Sequence, residues 1–200
     1  MVKTTKKSNK PKKFRTKSFK NWSFGTINIQ SGHEKNEKIY SVTKEIVKAN
    51  LAFCCLQEVC WRGTGSKIIA LDTGKKFEFH WAGYRKKRQA GTGILIRVDP
   101  NIEISSPNIN AARVMGIDLK INGFNIRIVN AYAPTEATGT VPQKQSFYSL
   151  LSKAMQKLKS IKNLSFLVTS MQQPASPNND VFLTVKRSSM TLNATIMAIV

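Results

Sequence analysis

Between Trp22 and Leu164 the spacing of apolar residues switches repeatedly between a strand period and a helix period. Phe24 to Ile29 is a short β-rich run. Ile39, Val42, Ile46 and Val47 follow at helical spacing and predict an amphipathic helix over 34–49. Leu51 to Leu56 is apolar throughout, as suits a strand covered on both faces. Phe77 to Ala82 and Gly93 to Val98 predict further strands. Val114 to Ile121 and Phe124 to Ala131 alternate apolar and polar positions, with Asn122-Gly123 between them as a strong hairpin signal. Phe147, Leu150, Leu151, Ala154, Leu158 and Ile161 mark a second helix, with Thr140 as its N-cap and Pro142 in its first turn. Hairpins mixed with helices predict an α/β domain of sheets covered by helices rather than one purely parallel sheet.

The pattern fails at both ends. Residues 1–21 are rich in Lys and Arg, contain no acid and almost no apolar side chain, and are expected to form a disordered basic arm. Such an arm reads either as a solvated tail or as a nuclear-import or phosphate-contacting segment, with Lys12, Lys13 and Arg15 as candidate contacts. The character changes after about Leu164, and residues 168–200 carry Gln172-Gln173-Pro174 and Ser176-Pro177-Asn178-Asn179 with poor periodicity, so no packed element is assigned there.

Composition sharpens this division. The 200 residues carry 32 Lys+Arg against 11 Asp+Glu, a formal charge of +21, and 41% are hydrophobic. That excludes an acidic solubilising protein and a wholly disordered chain, and it calls for a polyanionic partner: nucleic acid first, an anionic membrane surface second. No apolar run approaches the roughly eighteen residues of a membrane span. The N-terminus lacks the apolar stretch of a secretory signal. Three cysteines argue against a disulfide framework, so a nuclear or cytoplasmic rather than secreted setting is expected.

Glu58 closes the apolar run Leu51-Ala-Phe-Cys-Cys-Leu-Gln-Glu58. A carboxylate at the carboxyl end of a buried strand stands where α/β folds place ligands, and it suits Mg²⁺; it also fits a strand exit facing water. Asn28, near the end of the first strand, could hold a phosphate oxygen or serve as an ordinary turn residue. Tyr132, in Val129-Asn130-Ala131-Tyr132-Ala133-Pro134-Thr135, could donate to a phosphate oxygen or be a half-buried aromatic at a sheet edge. Lys86, Lys87 and Arg88 form a basic loop that could touch phosphates or simply be solvated. Cys54, Cys55 and Cys60 lack zinc-pair spacing and read as core thiols plus one loop thiol.

Taken in order, Asn28, then Leu56-Gln57-Glu58-x-x-Trp61, then Gly-Thr-Gly-Ile-Leu, then Asn130-Ala-Tyr-Ala-Pro-Thr135 resemble the endonuclease/exonuclease/phosphatase superfamily. The pattern is most similar to endonuclease domains of non-LTR retrotransposons and their craniofacial-development-protein-like relatives. The resemblance covers residues 22–164. It implies the N-terminal, truncated portion of a four-layered α/β sandwich and Mg²⁺-dependent phosphodiester hydrolysis of nucleic acid, most readily DNA. On that pattern Glu58 matches the metal-binding glutamate, Asn28 the asparagine beside it, and Tyr132 the tyrosine that contacts the scissile phosphate.

The resemblance also implies a Gly-Asp-Phe-Asn further along, where this chain reads Leu167-Val168-Thr169-Ser170-Met171-Gln172. A later Asp-His pair that supplies the general base has no counterpart either. The expectation is therefore an inactive relative, with a non-catalytic nucleic-acid-binding remnant or a non-functional decayed product as alternatives. The genetic code offers a cause. Leu167 to Ala175 can be encoded so that a reading frame beginning on the last base of the leucine codon spells Gly-Asp-Phe-Asn-Ala-Thr-Thr-Ser. A frameshift between about Ile161 and Leu167 would leave residues 165–200 out of frame and never selected to pack.

Overall fold

The computed structural model describes residues 23–30, 36–134, 139–159, 164–171, 184–187 and 195–198. The chain runs β1 (Ser23–Asn28), α1 (Asn36–Lys48), β2 (Leu51–Gln57), β3 (Thr64–Ala70), β4 (Lys76–Ala82), β5 (Thr92–Arg97), β6 (Ile102–Ile104), β7 (Ile109–Ala111), β8 (Val114–Ile121), β9 (Phe124–Ala133), α2 (Val141–Lys159), β10 (Leu164–Met171), β11 (Thr184–Arg187) and β12 (Thr195–Ala198). Two sheets result, in the orders β11-β1-β2-β5-β4-β3 and β12-β10-β9-β8-β6, with β7 added to β8.

The two periodicities build four layers. Inward-facing Phe24, Phe53, Cys55, Ile94 and Ile96 of the first sheet meet Met115, Ile117, Leu119, Ile126 and Ile128 of the second. The outer face of the first sheet takes Ile39, Val42 and Ile46 of α1 against Ile27, Leu51, Cys54, Leu56 and Leu95. The outer face of the second takes Phe147, Leu150, Leu151 and Ala154 of α2 against Val114, Val129 and Ala131. β2 is buried at all seven positions because it lies between β1 and β5 and is covered on both faces. Adjacent Cys54 and Cys55 therefore serve different cores, and burial pushes both thiols well above their usual pKa.

Local signals explain the joints. Asn122 and Gly123 take φ of 50° and 86°, the left-handed pair that a two-residue hairpin turn needs, and β8 pairs with β9 in register from Ile121↔Phe124 to Val114↔Ala131. The Thr140 carbonyl accepts the Lys144 amide, and Gln143 Oε1 accepts the Thr140 amide at 3.2 Å, half of a capping box.

Three strands carry no clear sequence signal. β3 is an edge strand, exposed at alternate positions, and its only buried apolar residue is Ile69. β6 and β7 span three residues each. The apolar pattern assigns no element over residues 168–200, yet three strands reach into that stretch. β10 continues to Met171, alongside β9 in parallel register, and β11 and β12 pair with β1 and β10. Leu164, Phe166 and Val168 do alternate at strand spacing, but the run is short and is followed by a Gln-, Pro- and Asn-rich stretch. The four residues each of β11 and β12 are too few to show a period. The basic arm, with Lys12, Lys13 and Arg15, lies outside the described residues. Among those described, no helix is long and apolar enough to cross a membrane.

Candidate functional site

Toward one end of the sandwich, the apolar layer between the sheets gives way to polar side chains. Going up the inner face, β1 presents Phe24, Thr26 and Asn28; β2 presents Phe53, Cys55 and Gln57; β9 presents Ile126, Ile128, Asn130 and Tyr132. The strand ends coincide. Asn28 pairs with Gln57, Gln57 with Thr92, and Ala131 with Val114. The carboxyl ends of β1, β2 and β9 thus open at one place.

The first polar tier is a closed amide network. Gln57 Nε2 donates to Thr26 Oγ1 and to Asn130 Oδ1, both at 2.9 Å. Asn130 Nδ2 donates across to the carbonyls of Leu56, at 2.8 Å, and Gly93, at 2.9 Å. Asn130 is fully buried, and its amide uses both donor protons and its acceptor. One side chain of the second sheet is thereby tied to two strands of the first.

Above that tier stand the three residues singled out from the sequence. Asn28 Nδ2 donates to Glu58 Oε1 at 3.0 Å, and the Tyr132 hydroxyl donates to the same oxygen at 2.6 Å. From the described residues no hydrogen bond reaches Glu58 Oε2. Asn28 Oδ1 accepts the Gln30 amide at 3.0 Å, an Asx turn that fixes which way its Nδ2 faces. Tyr132 is not the half-buried edge aromatic that its position suggested. β9 lies between β10 and β8, and Tyr132 is 1% exposed. Burial first, then its bond to Glu58, raise its pKa far above the usual phenol value, so it stays a donor.

Backbone strain concentrates here. Glu58, Cys60 and Ala90 have φ of 53°, 56° and 52°, and Gln30 has 42°, all left-handed without being glycine. Such residues cost on the order of 1 kcal/mol or more each and persist where the surroundings dictate them. Two bonds hold the Val59–Cys60 segment: Val59 N to Gly91 O at 3.2 Å and Cys60 N to Ala90 O at 2.8 Å.

These two bonds also bring the basic loop to the site. Residues 83–91 join β4 to β5 at the end where Glu58 emerges, and Lys86, Lys87 and Arg88 are exposed on it. The Gly91 amide donates to Ala112 O at 3.1 Å, linking the loop to Arg113. Arg113 is a residue that sequence reasoning missed. Its Nη1 donates to Tyr132 O at 3.2 Å, and its guanidinium lies 5.1 Å from the Tyr132 ring centre. Gln57 and Asn130 were missed as well. Both stood inside the quoted motifs, one residue before Glu58 and two before Tyr132, but only the fold shows that their side chains meet.

Among the described residues no cluster of three or more His, Cys, Asp or Glu side chains forms. Glu58 offers one carboxylate with one oxygen held by two donors. That suits a hard cation such as Mg²⁺, which takes one or two carboxylates and keeps most of its waters.

No protein-family model matches the chain, and no curated protein matches it. Among solved structures it is similar to the endonuclease domain of TRAS1, a telomere-specific non-LTR retrotransposon (12% identity, 69% of this chain and 54% of that one, TM-score 0.46). It is also similar to truncated TDP2 of Caenorhabditis elegans (13% identity, 68% and 55%, TM-score 0.44). A third similar structure is an endonuclease/exonuclease/phosphatase family protein of Bacteroides thetaiotaomicron (11% identity, 73% and 60%, TM-score 0.43). The chain spans little more than half the length of these structures.

Proposed function

We propose that residues 22–164 form part of a Mg²⁺-dependent phosphodiesterase domain that engages nucleic acid, with DNA as the expected partner, and that residues 1–21 are a basic arm adding phosphate contacts. The observation that carries this reading is the convergence of Asn28 and Tyr132 on one oxygen of Glu58, from both sheets, beside a loop of exposed cations. Glu58 would hold the metal. When bound, Mg²⁺ would supply neutralisation of phosphate charge. Asn28 and Tyr132 orient the carboxylate through their bonds to Oε1, which leaves Oε2 without a donor from the described residues. Arg113, Lys86, Lys87 and Arg88 add positive charge at the same end, where it attracts a polyanion.

Turnover is a separate matter. The residues of β10 beside Asn130, Ala131 and Tyr132 are Val168, Thr169 and Ser170. None is a carboxylate or a base able to prepare an attacking water, and losing such a group typically costs about a hundredfold or more in rate. The expected behaviour is binding without appreciable cleavage. On supercoiled plasmid with Mg²⁺, nicking should stay at background, while Mg²⁺ binding followed by calorimetry should be present and lost in Glu58→Gln. Mg²⁺-dependent nicking abolished by Glu58→Gln would mean that another residue supplies the base. Absence of Mg²⁺ binding would leave the non-catalytic nucleic-acid binder. A chain that does not unfold cooperatively would be the decayed product.

The strand register supports a second proposal, that residues 165–200 are read out of frame. β10 runs parallel to β9, with Val168 opposite Asn130, Thr169 opposite Ala131 and Ser170 opposite Tyr132. In the shifted frame an aspartate codon straddles Val168 and Thr169, and an asparagine codon straddles Ser170 and Met171. The restored pair would thus fall on the strand next to Tyr132, at the end where Glu58 opens. The coding sequence is the test. A shifted frame that encodes no Gly-Asp-Phe-Asn there, or that stops within a few codons, removes the idea.

A further inference from the structure

Tyr84 stands at the head of the cationic loop. It is followed by Arg85, Lys86, Lys87 and Arg88, all exposed, and Tyr84 itself is 37% exposed. No ring of the described residues packs on it. Yet its backbone is fixed. The Gly63 amide donates to Tyr84 O at 3.3 Å, and Gly83 N donates to Gly63 O at 2.7 Å. The chain passes so close to Trp61 at Gly83 that a Cβ there would lie 1.8 Å from the Trp61 carbonyl oxygen. A glycine-dependent anchor thus presents a partly exposed aromatic ring, with no other ring stacked on it, at the edge of a positive patch.

We propose that Tyr84 is a stacking platform for an unpaired nucleobase, so that this loop prefers single-stranded or locally opened nucleic acid to intact duplex. The inference rests on the nucleic-acid reading above. The physical reason is a division of labour. Four successive cations contact phosphates without regard to strandedness. An exposed ring adds affinity only where a base face is free to receive it, and such stacking is sequence-tolerant because every base has a face. In duplex the base faces are occupied by their neighbours. Within the fold no other aromatic ring of the described residues stacks on Tyr84, so the exposed part of its ring is left for a ligand.

The test uses the full chain and two labelled probes of equal length, an oligo-dT strand and a mixed-sequence duplex, followed by fluorescence anisotropy at one salt concentration. Tyr84→Leu, which keeps apolar bulk without a π face, should weaken single-strand binding about fivefold or more and duplex binding less than twofold. Tyr84→Trp should restore the single-strand affinity. A triple variant with Arg85, Lys86 and Lys87 each changed to Ala should weaken both probes alike. Binding of both probes with no selective loss in Tyr84→Leu overturns the stacking role and leaves the nucleic-acid reading standing. Failure of the wild-type chain to bind either probe overturns both.

Discussion

The layer between the two sheets has two ends built on the same strands. At the lower end Phe24 stacks on Phe53, ring centres 5.3 Å apart and 6° from parallel, and Ile102, Ile121 and Ile126 close the layer. Four residues further along each of β1 and β2, the same inward-facing positions hold Asn28 and Gln57. The lower end stabilises by excluding water, without regard to direction. The upper end holds buried amides that must each find a partner, so it fixes geometry more than it adds stability. An alternating strand continues its core pattern in both cases. What changes is whether the residue in the core slot is apolar or polar, and that change is what places a carboxylate, an amide and a phenol within hydrogen-bonding distance of one another.

The largest effect should come from the apolar end. Phe53→Ala removes a fully buried ring and leaves a cavity under β1, at a cost of about 3–5 kcal/mol in urea unfolding. The chain would unfold readily, since small domains hold only about 5–15 kcal/mol in total. A loss under about 1 kcal/mol would mean that the two sheets do not pack at that end.

Asn130→Ala comes next. It removes the side-chain donor that the carbonyls of Leu56 and Gly93 share and leaves the buried Gln57 amide without its Asn130 acceptor. A cost of about 2–4 kcal/mol is expected, because each unsatisfied buried group carries its desolvation penalty. Asn130→Asp sharpens the comparison, since it keeps the shape but loses both donors. It should be at least as damaging as alanine. If Asp is tolerated, water reaches the tier and the network is not closed.

Much of this was legible beforehand, and the reasons are local. β2 announced itself by an unbroken apolar run, the β8–β9 hairpin by Asn122-Gly123, and α2 by Thr140 and its apolar spacing. Glu58, Asn28 and Tyr132 stood out because a short motif carries each of them. Gln57, Asn130 and Arg113 could not be read in the same way. Their roles depend on a partner on another strand: 73 residues separate Gln57 from Asn130, and 19 separate Arg113 from Tyr132. β3 escaped because an edge strand exposed at alternate positions has no second face to bury. β10 escaped although Leu164, Phe166 and Val168 alternate at strand spacing, because so short a run is weak evidence beside the Gln-, Pro- and Asn-rich stretch that follows it.

The smallest effect is a pH-dependent one, and it isolates the bond at the top of the seam. Tyr132→Phe removes one hydroxyl and its 2.6 Å bond to Glu58. At neutral pH the expected loss is about 1 kcal/mol, typical of a single hydrogen bond, with a somewhat larger value admitted because the acceptor is a carboxylate. The phenol's pKa is raised in the folded chain, by burial and by Glu58. In the unfolded chain it returns to about 10. A raised folded value means that the group's contribution is fully present below about pH 10 and is lost as pH rises beyond it, because the unfolded state then gains by ionising while the folded state does not. The stability gap between wild type and Tyr132→Phe should therefore be constant from about pH 7 to about pH 9 and narrow above about pH 10. Paired urea titrations at those values measure it, and the subtraction cancels the other tyrosines. A gap that stays constant through about pH 11 would mean that the phenol ionises as readily in the folded chain as in the unfolded one. In that case neither its burial nor its bond to Glu58 holds in solution, and the upper end of the seam is open to water.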